Sequence, residues 1–140
     1  MTTPASEASL TYGRAVSTGL PFAEAVERTR VQLKEEGFGI LCDIDVAATM
    51  REKLGESFRP YRILGACNPQ LAHRALEAQP YLGLLLPCNL IVQESDGRTL
   101  VAAVDARAML GVVGDPQLSA LADEVNARLG RVLDAIASAS

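Results

Sequence analysis

The chain has 140 residues, 49% hydrophobic and 21% charged, with 13 basic residues against 17 acidic ones. A domain of that size hides about two thirds of its unfolded surface and needs no staple to hold a core. This apolar content excludes a disordered chain. A net charge of −4, with no block of Lys or Arg, argues against a nucleic-acid partner, whose binding rests on clustered cations that neutralise phosphates.

The opening run Met1-Thr2-Thr3-Pro4-Ala5-Ser6-Glu7 has neither the basic start nor the apolar stretch of a secretory signal. No apolar run approaches the ~20 residues a membrane span needs, so no membrane partner is expected. The expected partition is a disordered tail over residues 1–9, a single α+β domain over 10–137 and a frayed end over 138–140. Cys42, Cys67 and Cys88 are an odd number without a C-x-x-C pair. That pattern predicts free thiols in a reducing, cytoplasmic setting.

Residues 11–17 predict a first strand. Pro21 opens a helix to about Glu36, with Phe22, Val26 and Leu33 on one stripe and Gly37 as its stop. Phe38, Ile40, Cys42, Ile44 and Val46 then alternate with Gly39, Leu41, Asp43 and Asp45. The period of two predicts a strand with Cys42 on its core face. Asp43 and Asp45 share the less apolar face, but Asp45 is placed to cap a short helix that ends at Gly55, which disfavours the two as an acid/base pair. Residues 61–66 predict the next strand.

Cys67-Asn68-Pro69 marks a junction. Asn68 is a favoured N-cap and Pro69 suits the first helical position, so a helix is predicted over 69–78. Cys67 sits just ahead of its positive end, where a thiolate is favoured; the alternative is a small buried residue closing a strand. His73, the only histidine, falls on the polar side of that helix, four residues before Glu77, as a surface pair. Cys88-Asn89 precedes a strand over 90–94, and Ser95-Asp96-Gly97 turns it into another over 98–104. Counting back from the turn puts Val92 opposite Val101 and Cys88 opposite Asp105. Both hairpin faces are apolar, which requires cover on each side. Residues 106–114 predict a loop, with Met109 and Leu110 as exposed apolar candidates for a partner surface. The last helix starts at Asp115-Pro116 and carries Leu118, Leu121, Ala122, Val125, Leu129, Val132, Leu133 and Ile136 at helical spacing.

Three stretches together resemble the bacterial and archaeal family catalogued as domain of unknown function 302. They are Glu36-Gly37-Phe38-Gly39-Ile40-Leu41 with Asp43-Ile44-Asp45, then Tyr61-Arg62-Ile63-Leu64-Gly65-Ala66-Cys67-Asn68-Pro69, then Gly83-Leu84-Leu85-Leu86-Pro87-Cys88-Asn89. The resemblance runs from about Arg14 to Ile136. It implies a β-α-β4-α sheet domain, related to a single copy of the TATA-binding-protein-like fold with extra short helices, and a tendency to dimerise. The fold name implies no DNA binding.

No G-x-S-x-G elbow, Gly-rich phosphate loop or H-E-x-x-H helix occurs in the sequence. Two functions compete. One is a noncatalytic homodimeric module that binds an unknown small molecule or protein near Cys67, Asn68, Cys88 and Asn89. The other is thiol chemistry: a reactive Cys67 with Cys88 as resolving thiol, a sulfur carrier, or a soft-metal site on Cys67 and Cys88 for Cu(I) or Zn(II). Zinc would need further donors from Asp105, His73 or a second subunit.

Overall fold

Residues 10–139 are described by the computed structural model; the tail expected over 1–9, and Ser140, lie outside them. Five strands, β1 (Gly13–Thr18), β2 (Gly39–Asp45), β3 (Tyr61–Cys67), β4 (Cys88–Ser95) and β5 (Arg98–Val104), form one sheet in the order β1-β5-β4-β3-β2. Every neighbouring pair is antiparallel. Helix α1 (Phe22–Glu35) links the two edge strands, and α5 (Gln117–Ala137) closes the chain. The order is therefore β-α-β4-α. The additional pieces are α2 (Val46–Leu54), α3 (Pro69–Ala78), a 3-10 turn over Pro80–Leu85, and α4 (Ala106–Gly111).

The helix starts follow from their caps. Asp45 accepts from the Ala48 N–H, Asn68 from the Leu71 N–H, and Asp105 from the Arg107 and Ala108 N–H groups, each satisfying an orphan donor of a first turn. The hairpin turns at Asp96 and Gly97, both at positive φ (52° and 74°), as a two-residue loop requires. Its register is as counted: Ser95 faces Arg98 and Val92 faces Val101.

Helices α1 and α5 cover one sheet face. Leu64, Ala66, Cys88, Leu90, Val92, Val101, Ala103 and Val16 are buried there, and all of these but Leu64 share a core with Leu33 of α1 and Leu118, Leu129, Val132, Leu133 and Ile136 of α5. On the other face an apolar row crosses all five strands: Ala15 pairs Ala102, Ala102 pairs Ile91, Ile91 pairs Ile63 and Ile63 pairs Ile44.

Two expectations need correction. Cys42 is exposed, not core. A bulge between Ile40 and Cys42 inserts Leu41 as an extra residue, and one inserted residue exchanges the faces of everything after it. Cys42 and Ile44 thereby join the open face, while Asp43 turns to the helix side. There it binds Arg30 of α1 and Arg62 of β3, the Arg62 Nε–H donating at 2.7 Å. Residues 106–111 are likewise no exposed loop, and only 112–114 remain a turn, with Val112 exposed. Capped by Asp105, residues 106–111 form α4, which packs on α5; Leu110 is buried at 6% exposure and Met109 packs half-buried against the core.

At the end of the chain, α5 runs to Ala137, and the Thr18 hydroxyl donates to the Ala139 carbonyl at 2.9 Å. No helix among the described residues is long and apolar enough to cross a membrane.

Candidate functional site

The two Cys-Asn motifs meet because β3 and β4 are neighbours: Cys88 lies opposite Ala66, the residue before Cys67. Cys67 ends β3, Asn68 caps α3, and Cys88 begins β4 just after the cis Leu86–Pro87 bond. Cys67, Asn68 and Cys88 line one cavity of about 40 Å3 on the helix-covered side, whose remaining wall is apolar and includes Phe38, Leu71, Met109 and Leu110. Asn89 is not part of it. Paired with Gly65 and exposed, it lines a second hollow of about 440 Å3 on the open face, with Tyr12, Tyr61, Ile91, Gln93 and Ala102 among its neighbours.

The first cavity sets a buried Cys88 thiol beside a half-buried Cys67 thiol. Burial pushes the Cys67 thiol up from its ordinary value. Burial, and then the neighbouring Cys67, push Cys88 up to about 11. Desolvation thus opposes the thiolate that the end of α3 alone would favour. The Asn68 Oδ1 is spent on its cap, accepting from the Leu71 N–H at 3.1 Å.

The other sequence candidates lie elsewhere. Exposed His73 pairs with Glu77 at 3.3 Å. The Asp105 carboxylate accepts from Asn126 as well as from the α4 backbone, and these bonds, the Asn126 one foremost, hold it below the ordinary carboxylate value. Neither residue lines the cysteine cavity. Among the described residues no group of three His, Cys, Asp or Glu side chains could hold a metal ion.

Sequence reasoning missed two features. Met109 reaches the cysteine cavity from α4; the only local hint was Asp105, an N-cap residue type directly before it. The apolar row was legible for Ile91 and Ala102 from the hairpin, and the period of two in Tyr61-Arg62-Ile63 would have added Ile63. Ile44 was hidden by the bulge.

The family model described as "Domain of unknown function DUF302" matches residues 14–136. Among solved structures, the chain is similar to the crystal structure of an "uncharacterized conserved protein DUF302" from Bacillus stearothermophilus. The two share 34% sequence identity at a TM-score of 0.85, over 91% of this chain and 99% of the other. No curated protein matches the chain.

Proposed function

Because the chain belongs to the DUF302 family, whose description assigns no activity, we propose from the geometry that it acts as a noncatalytic homodimeric binding module. A second copy lies on the open sheet face in this reading, and a small molecule occupies the hollow beside Asn89.

One observation carries the reading. The row Ala15-Ala102-Ile91-Ile63-Ile44 spans the whole sheet on the face away from α1 and α5, with Ala15 already buried, Ala102, Ile91 and Ile63 half-buried and Ile44 exposed. Around it lie half-buried Tyr61 and Val104 and exposed Cys42, with Leu100 already buried, and Arg98 is the only charged residue that the strands place on this face. Interface centres are depleted in charge in the same way. The sheet face measures roughly 20 by 20 Å for five strands of six to eight residues, and the row crosses it as one contiguous apolar patch. A twofold partner buries that patch on both copies at once. The same partner would roof the hollow.

The hollow's about 440 Å3 falls within the range of small-molecule sites, roughly 300–1,000 Å3. Its lining carries amide and phenol groups of Asn89, Gln93, Tyr61 and Tyr12 and no charged side chain, which suits a neutral, largely apolar molecule with a few hydrogen-bonding groups. The raised thiols of Cys67 and Cys88 weigh against a nucleophilic cysteine at neutral pH. Native mass spectrometry, with thermal shifts against a panel of neutral small molecules, tests the reading. A dimer stabilised by a panel member supports it; a strict monomer that no member stabilises overturns it.

A further inference from the structure

The sulfur side chains of the core are not scattered. Cys67 from the end of β3, Cys88 from the start of β4 and Met109 from α4 all line the same cavity. Cys67 and Cys88 come from directly paired strands. Beyond these sulfurs, Asn68 is the cavity's one polar side chain, and its oxygen is engaged by the Leu71 N–H. A space of about 40 Å3 admits an ion or a few waters, since one water needs roughly 10–15 Å3. It does not admit a metabolite.

We propose that Cys67, Cys88 and Met109 form a three-sulfur site for a single soft monovalent cation, Cu(I). The identity of the metal follows from the donors. Thiolate and thioether ligands select soft metals such as Cu(I), whereas hard cations need oxygen ligands. Structural Zn(II) takes four ligands, and neither His73 nor Asp105 lines the cavity to supply the fourth. On binding, each thiol loses its proton to solvent as its Cu–S bond forms. Met109 donates as a neutral thioether, and the metal stays Cu(I), so no electron is transferred. The resulting complex bears one negative charge beside the N-terminus of α3, which starts at Pro69; a helix N-terminus favours such a charge. This site lies on the helix-covered side and is independent of the dimer reading.

The test is anaerobic titration of the reduced full-length protein with Cu(I) against a chromophoric Cu(I) chelator, with X-ray absorption on the loaded wild type. The expected result is one Cu(I) per chain withheld from the chelator, in a shell of three sulfurs. Cys67→Ser and Cys88→Ala should each weaken retention at least 100-fold. Met109→Leu should leave two sulfurs and weaken it by at least the roughly tenfold that loss of an outer-shell partner alone costs at metal sites. Cys42→Ser, on the open face, should change nothing. Because Cys88 is buried, its variant is compared only if its melting stays cooperative, and the wild-type shell is decisive by itself. Complete loss of Cu(I) to the chelator, nitrogen or oxygen in the shell, half a metal per chain, or retention unchanged by Cys67→Ser would each overturn the proposal.

Discussion

Cys88 and Asn89 are adjacent in the chain and stand on opposite faces of the sheet. Cys88, opposite Ala66, is buried under the helices at 7% exposure, while Asn89, opposite Gly65, is exposed. One dipeptide therefore serves two separate places: a small sulfur-lined cavity and a larger hollow on the open sheet.

Gly65, paired with Asn89, lets Cys42 and Pro87 approach the sheet closely because it has no side chain. A Cβ there would come within 2.6 Å of the Cys42 Sγ and 2.8 Å of the Pro87 Cγ. Gly65→Ala must therefore push β2 or Pro87 aside. Overpacking of this kind costs about 1–3 kcal/mol, and chemical denaturation should show a loss of that size. An unchanged midpoint would mean that Cys42 swings into solvent at no cost.

Asn68 is expected to act through stability. Its cap on Leu71 is worth about 1 kcal/mol, so Asn68→Ala should lower the unfolding free energy by that amount, whereas Asn68→Asp, which can still accept from Leu71, should recover most of it. Equal losses in both variants would point to a role for the amide nitrogen.

Asp43 sets a pH dependence. The hydrogen bond from Arg62, followed by that from Arg30, holds its carboxyl below the ordinary value of 3.8 even against the cost of burial. A depressed folded pKa contributes stability that is present above the unfolded pKa and is lost as the pH falls through the folded one. Wild type should therefore lose part of its stability below about pH 4. Asp43→Asn should be less stable at pH 7, by about 1–3 kcal/mol for bonds to charged groups, and lose less on acidification. Parallel pH profiles for the two proteins would contradict this.

Leu110 tests the corrected position of α4. At 6% exposure within the core, Leu110→Glu buries a carboxylate among apolar groups and should cost about 3 kcal/mol or more. A sharp drop in melting temperature is expected. A stable variant that only changes its association state would restore the exposed loop.

Much of this fold was legible because local signals agreed with one another. Asn68-Pro69 fixed the start of α3, and Asp96-Gly97 fixed the hairpin and, through it, the pairing of Val92 with Val101. The errors arose where a tertiary feature overrode a period. At Leu41 one bulged residue moved Cys42 from the expected core face to the open face. At residues 106–111 the helix is short and held by its packing on α5, and no hydrophobic period of that length separates a helix from a loop. The site was half legible: the motifs put Cys67 and Cys88 each at the edge of a regular element, but their meeting in one cavity, the outward turn of Asn89 and the arrival of Met109 depend on register and on α4.

The open-face dimer is tested most directly by molar mass from light scattering on wild type and on Ile91→Glu, with Ile44→Glu as a check at a more exposed point of the same row (Ile44 is 44% exposed). Facing glutamates would repel across a twofold interface and strand charge in an apolar patch. Wild type should have the mass of two chains, and both variants the mass of one, with helix and strand content unchanged by circular dichroism. A monomeric wild type, or variants that remain dimeric at micromolar concentration, would contradict the assignment of this sheet face as the interface.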